Sequence, residues 1–192
     1  EVAVLAAGST VAMMTIHFPI VPGAPFLKYD PSDAVGLLAG FLLGPGPGVL
    51  TVLLKDALFW LIRDGNPLGP LADFIAAATF VGVAAHLFRR LAPGGRPGAG
   101  EPGGRLAGVR AAALPAMAAA ILGGTLARVL VMVAANFPIL YLEFGMPPEK
   151  VAALLWPAII PFNGLKGLLN GAFAVVLAAA LVRRSTAVVA SR

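Results

Sequence analysis

The sequence has no cysteine and little charge, and both deficits narrow the class of protein. Without cysteine, the 192 residues offer no disulfide framework, no thiolate metal site and no cysteine nucleophile. Charged residues make up 12% of the chain, whereas a soluble domain carries roughly a quarter. Hydrophobic residues make up 59%, and the mean hydropathy is +0.90. This composition indicates an integral membrane protein.

Motifs for ATP binding and for hydrolysis are also missing. The sequence contains no Walker phosphate loop, no HExxH zinc motif and no GxSxG nucleophile elbow. The two histidines, His17 and His86, are far apart and do not have the spacing of metal ligands. We therefore expect neither an enzyme nor a metal site. A binding subunit that takes its energy from partner proteins fits these gaps.

Six apolar segments are candidates to cross a bilayer, which takes about 20 helical residues. The second and third segments are short. Residues 44–48 (Gly-Pro-Gly-Pro-Gly) are expected to end the second segment, and Pro138 is expected to end the fifth. The predicted fold is an all-α integral membrane protein, a six-transmembrane-helix bundle that forms a single domain over residues 1–192. The six segments are residues 3–18, 34–43, 49–62, 71–88, 111–135 and 162–182.

The arginines predict how the bundle is oriented. Segment 89–110 holds five arginines and one acid and is rich in Gly and Pro, so it reads as a flexible cytoplasmic loop. The tail adds Arg183, Arg184 and Arg192. Two basic clusters on one side of six spans place both termini in the cytoplasm. This topology explains the net charge of +5 better than nucleic-acid binding does.

The last apolar segment carries a polar stripe. Asn163, Lys166 and Asn170 fall at i, i+3 and i+7, so they share one helix face. A lysine at mid-helix costs roughly 2.5–3.5 kcal/mol on insertion scales, so such a stripe usually faces a bundle interior or a ligand. The alternative is an asparagine near a helix end and a lysine that reaches the headgroups.

Four other ionisable residues lie in or next to apolar segments. Lys55 and Asp56 are neighbours that point about 100° apart on a helix, so they are not expected to form a simple mutual ion pair, and a structural role is favoured. Arg128 is expected to find a partner or the inner interface. Asp73 follows Pro70 and is interpreted as an acid at a helix N-terminus.

The predicted outer segments are apolar. The first loop (residues 17–33) contains three prolines before Lys28, and a stiff, apolar loop suits either a lid over a ligand or a tight connector. Residues 137–160 are expected to hold a short surface helix from Pro147, with Trp156 near the interface. In the first segment, Ala3 and Ala7 are small residues four apart, which lets another helix approach closely.

Three blocks of sequence resemble the S component of an energy-coupling factor (ECF) transporter, and within that family the riboflavin-specific RibU type. The first block is residues 18–33, which include Phe-Leu-Lys-Tyr-Asp-Pro-Ser-Asp at 26–33. The second is residues 40–45, 48–49 and 55–56 together with Gly-Pro-Leu-Ala-Asp-Phe at 69–74. The third and most specific is Pro-Phe-Asn-Gly-Leu-Lys-Gly at 161–167. The family often has Asn where Asp56 and Asp73 stand here.

The resemblance implies an S component that binds riboflavin with high affinity at its extracellular side, beneath the first loop. Riboflavin is then the transported ligand, and no cofactor is expected. The Ala3 and Ala7 face resembles the surface that docks on a transmembrane coupling subunit, which carries two ATPases. The resemblance also implies that the chain lies in a prokaryotic plasma membrane, in contact with lipid. The resemblance implies that Asn136, Asn163 and Lys166 match the polar residues that hold the flavin. Phe18 and Phe26 are expected to supply an apolar wall, and Lys28 is the further predicted ligand-binding residue.

Other interpretations remain at this point. The same scaffold serves an S component for a different vitamin or small metabolite. A membrane-embedded enzyme that uses Lys166 or the Lys55 and Asp56 pair lacks a visible set of nucleophile, base and orienting group. A purely structural partner subunit does not account for the polar stripe.

Overall fold

The structure, a computed structural model, describes residues 1–63, 65–92 and 114–190, with no side-chain description at 182 and 185–190. Apart from loops and one small hairpin, these residues are helical, and the predicted all-α fold is confirmed, with six main helices and one short helix. A π-helical turn, Leu155–Ile159, joins the last two helices, and strands β1 (Phe18–Pro19) and β2 (Lys28–Tyr29) pair antiparallel. The helices are α1 (Val2–Thr15), α2 (Ser32–Leu43), α3 (Pro45–Arg63), α4 (Leu68–Leu91), α5 (Leu114–Phe144), α6 (Pro148–Leu154) and α7 (Ile160–Ala190).

Four helical units are long and apolar enough to cross a membrane: α3, α4, α5 and the continuous unit Pro148–Leu181. The third predicted segment is longer than expected, because Pro45 and the residues after it form the first turn of α3, where proline is tolerated. Helix α2 does end before Gly44, which has a φ of +109°. Helices α1 and α2 are shorter, with 14 and 12 residues.

Two predicted helix ends are wrong. Helix α5 continues through Pro138 to Phe144, because the buried side chains of Ile139 and Leu140 pack beyond the proline. A proline inside a membrane helix is tolerated when neighbouring groups satisfy the freed carbonyl. Helix α1 ends at Thr15 rather than at Phe18, because Phe18 pairs with Tyr29 in the hairpin.

The predicted surface helix is confirmed as α6, and Trp156 beyond it is 80% exposed. Arg89 and Arg90 belong to the last turn of α4 rather than to a loop. From residue 93 onward the predicted basic loop lies outside the described residues, and so does Arg192. The single domain over residues 1–192 and the cytoplasmic position of both termini stay predictions.

Two apolar clusters form the core of the bundle, and the polar stripe lies between them along the chain. One cluster includes Phe41, Phe80 and Ala174. The other includes Leu27 of the first loop and Phe162 of α7. Because Asn163, Lys166 and Asn170 come after Phe162 and before Ala174, α7 carries its polar residues between the two apolar clusters.

Candidate ligand-binding site

A cavity of about 650 Å³ lies beneath the first loop, between that loop and helices α1, α3, α4, α5 and α7. Much of its wall is apolar and comes from Met13, Phe59, Met132, Ile139 and Phe162. Pockets for small molecules typically measure about 300–1,000 Å³ and combine an apolar lining with a few placed polar groups. The cavity fits both criteria, because Asp30, Asp73, Arg128, Asn136, Asn163 and Lys166 also line it.

Lys166, which lines the cavity, joins the first loop to α4. Its Nζ donates to Asp30 Oδ2 and to Asp73 Oδ1, both at 2.7 Å. The side chain is buried, so the polar stripe faces the interior of the bundle and not the headgroups. A buried ammonium needs such partners, because removing an ion from water costs several kcal/mol.

Lys55 makes a second junction, between α3 and its neighbours. Its Nζ lies 3.0 Å from Asp33 Oδ1, 2.6 Å from Asp73 Oδ2 and 3.1 Å from Asp56 Oδ1. Lys55 and Asp56 are in ionic contact, but Lys55 also pairs with acids of two other helices, so the two do not form a simple mutual ion pair. Neither oxygen of Asp56 accepts a hydrogen bond from the part of the chain that the structure describes.

Arg128 connects α5 to α2 and α7. Its Nη1 donates to Asp33 Oδ2 at 2.8 Å, and its Nε donates to Asn163 Oδ1 at 3.1 Å. The residue is only 1% exposed, so the expectation that it finds a partner is confirmed.

These contacts form one ion-pair cluster of four acids and three bases. The interpretation of Asp73 as a helix N-terminal acid is wrong, because its carboxylate bridges two lysines. The acids offset the cationic side chains that line the cavity, so the base of the site is polar without a large positive charge. The members are Asp30, Asp33, Lys55, Asp56, Asp73, Arg128 and Lys166.

Three carboxylates of the cluster, those of Asp30, Asp33 and Asp73, lie within 4.8 Å of one another, a spacing that suits a metal ion. Each of the three already pairs with a lysine or arginine. The ion pairs account for the grouping without a metal.

The three buried asparagines, Asn136, Asn163 and Asn170, differ in what they do. Asn170 is fully buried, donates Nδ2 to the Asp30 carbonyl at 3.1 Å and accepts from the Ala34 amide at 3.2 Å, so it fixes the end of the first loop. Asn136 lines the cavity and donates Nδ2 to the Met132 carbonyl at 2.7 Å. Asn163 likewise donates Nδ2 to the carbonyl four residues earlier, at 2.9 Å.

The first loop forms one side of the cavity through Phe26 and Lys28, both of which line it. The ring of Phe26 packs 5.7 Å from the ring of Phe144 at the end of α5. Phe18 is 48% exposed and packs edge-on against Tyr29, outside the cavity lining. The structure therefore brings five of the six predicted ligand-binding residues to one cavity.

His17 also lines the cavity, although no pattern in the sequence predicted it as a site residue. Its ring meets the Phe59 ring edge-on at 5.2 Å. Burial lowers the pKa of His17 below its ordinary value of 6.5, partly against the nearby Asp30 charge. The imidazole is therefore neutral around pH 7.

The outward face of α1 holds the two alanines of the predicted docking surface. Ala3 and Ala7 are exposed, whereas Ala6, Ser9 and Met13 turn into the bundle. Ser9 donates its hydroxyl to the Ser32 carbonyl at 2.8 Å, which holds this orientation. The small side chains of Ala3 and Ala7 are thus exposed on this face, next to the exposed Val4 and Val11.

Comparisons with known proteins agree with this architecture. A model of the family "ECF transporter, substrate-specific component" matches residues 1–182. The chain is similar to the riboflavin transporter RibU of Staphylococcus aureus (strain TCH60), 40% identical over 74 residues, which are 38% of this chain and only 39% of that relative. It is also similar to the riboflavin transporter FmnP of Bacillus subtilis (strain 168), 28% identical over 81% of this chain and 77% of the relative.

A solved structure shares the fold. It is described as "Structure and mechanism of the S component of a bacterial ECF transporter". The two chains superpose with a TM-score of 0.74 and 27% identity, and the match covers 95% of this chain and 93% of the other. The prediction that the chain is not an enzyme is confirmed by the family match. The chain belongs to the substrate-specific components of ECF transporters, which are multi-pass membrane proteins.

Proposed function

We propose that the chain binds riboflavin with high affinity in the cavity beneath the first loop. The observation that carries the proposal is the convergence of Asn136, Asn163 and Lys166, from two helices, on one apolar cavity of about 650 Å³. Isoalloxazine is a flat apolar ring with carbonyl and imide edges, and ribityl is a chain of hydroxyls. An apolar wall with a few fixed donors and acceptors suits both parts.

The polar side chains supply complementary chemistry. Lysine offers donors only, whereas an asparagine amide offers both donors and acceptors. The Asn136 amide donates through Nδ2 to the Met132 carbonyl, which fixes its orientation, and its carbonyl oxygen can accept a hydrogen bond from a ligand. Phe26 adds an aromatic surface from the loop side. The named relatives are riboflavin transporters, which supports the same vitamin here.

Family membership also bears on how uptake is driven, because substrate-specific components pair with an energy-coupling module. We propose that the partner is a transmembrane coupling subunit with two ATPases, and that it docks on the Ala3 and Ala7 face of α1. That face lies on the outer surface of the bundle, away from the cavity-lining Met13.

The absorption spectrum of the purified protein tests the ligand directly. After incubation with riboflavin and removal of the free vitamin, the protein should retain flavin bands in the near-ultraviolet and the blue. The matched control is the same protein incubated with thiamine and passed over the same desalting column. Loss of all flavin absorbance on the column would contradict the proposal and favour a different vitamin on the same scaffold.

A further inference from the structure

The side-chain amide of Asn163 has its orientation set by two neighbours. Its Oδ1 accepts from Arg128 Nε at 3.1 Å, and its Nδ2 donates to the Ile159 carbonyl at 2.9 Å. A guanidinium carries donors only, and a backbone carbonyl is an acceptor only. Both contacts therefore require the same orientation of the amide, with the oxygen towards Arg128.

Arg128 is in turn held in place by Asp33. The carboxylate accepts from Arg128 Nη1 at 2.8 Å through Oδ2, while its Oδ1 accepts from Lys55 at 3.0 Å. Arg128 thus uses two different nitrogens of one rigid plane, one for a carboxylate and one for an amide. A lysine has a single nitrogen and cannot reproduce this two-point geometry.

We infer that Arg128 is a positioning residue, which fixes Asn163 so that a ligand meets an amide N–H donor. With Oδ1 engaged by Arg128 and one Nδ2 hydrogen engaged by Ile159, the second Nδ2 hydrogen is the donor left for the cavity. A ligand group that meets this N–H is a hydrogen-bond acceptor, such as a ring carbonyl. The inference rests on the proposed function for the identity of the ligand.

A double-mutant cycle tests whether Arg128 acts through Asn163. Arg128→Lys keeps the positive charge next to Asp33 but removes the Nε donor, so riboflavin affinity should fall roughly 3- to 10-fold. In an Asn163→Ala background the same Arg128→Lys change should have no further effect, because no amide remains to be positioned. An equal loss in both backgrounds would overturn the inference, since Arg128 would then act on the ligand directly or on the fold.

A measurement without ligand separates this inference from the proposed function and leaves Arg128 unsubstituted. In protein labelled with ¹⁵N-arginine, the Nε–H resonance of Arg128 should exchange slowly with water and should shift in Asn163→Ala. Leu165→Ala, an exposed neighbour on the same helix, is the control and should leave the resonance in place. A resonance that Asn163→Ala does not move would overturn the inference. A failure of riboflavin to bind would contradict only the proposed function.

Discussion

Lys166 Nζ lies 2.7 Å from Asp30 Oδ2, although the two residues are 136 positions apart in the chain. The contact joins the end of the first loop to the polar stripe of α7. Because Lys166 also lines the cavity, a ligand that contacts this lysine contacts the group that anchors the loop. The proposed ligand site and the position of the loop are thereby connected through one side chain.

Substitution of the stripe should separate binding from stability. Asn163→Ala should weaken riboflavin binding by roughly 1–3 kcal/mol, because a ligand group loses its partner. Lys166→Met should also destabilise the protein by about 3–5 kcal/mol, because it removes a cation from the buried carboxylate of Asp30 and the partly buried carboxylate of Asp73. Riboflavin titration and thermal unfolding in detergent measure the two effects. Leu165→Ala is the control, and equal loss of stability in all three variants would contradict the assignment.

Two acids of the ion-pair cluster should respond differently to neutralisation. Asp73 bridges Lys55 and Lys166, so Asp73→Asn should cost about 3–5 kcal/mol of unfolding free energy. Asp56 contacts Lys55 but accepts no hydrogen bond from the described residues, so Asp56→Asn should change stability by less than about 1 kcal/mol. Thermal unfolding of the two variants makes the comparison. The opposite order of stabilities would show that Asp56, not Asp73, holds the lysines.

The α1 surface predicts a separation of binding from transport. Ala7→Trp places a large ring on the exposed face where a partner helix should approach closely, so ATP-driven uptake should fall while riboflavin binding survives. The measurement is affinity in detergent against uptake in proteoliposomes that contain the whole complex. Leu126→Trp adds a ring at a position that is 60% exposed on α5, and serves as control. Normal uptake by Ala7→Trp would place the docking surface elsewhere.

His17 should make stability depend on pH. Because burial lowers its pKa in the folded protein below 6.5, the unfolded chain binds more protons below about pH 6.5. The stability is therefore complete above that pH and is lost as the pH falls through it towards the folded-state pKa. The thermal midpoint should drop less for His17→Gln than for the wild type between about pH 7.5 and about pH 5.5. Identical slopes would contradict the buried, neutral imidazole.

The helices could be predicted from the sequence to a large extent, since membrane-spanning segments must be apolar and long. Their ends could not, because proline carries two meanings. Pro45 opens α3, and Pro138 lies within α5, where the packing of Leu140 continues the helix. The hairpin in the first loop has two residues in each strand, too few for an alternating pattern to be recognised.

The site was predicted where the signal is local and missed where it is not. The spacing of Asn163, Lys166 and Asn170 places all three on one face without knowledge of the fold. The acids that pair with the buried cations gave no such pattern. Asp73 lies 93 positions from Lys166, and Asp33 lies 95 positions from Arg128. The sequence does place acids, lysines and arginines in or next to apolar segments, and their need for partners of opposite charge was the one sign of the ion-pair cluster.

Equilibrium titration of the purified protein with riboflavin, followed by flavin fluorescence, tests whether the cavity beneath the first loop binds this vitamin. We expect saturable quenching at one riboflavin per chain, unaffected by excess thiamine, folate or pantothenate, with weaker binding in Asn163→Ala. Saturable binding of one of those vitamins in place of riboflavin would contradict the ligand assignment. Full riboflavin affinity in Asn163→Ala would contradict the site.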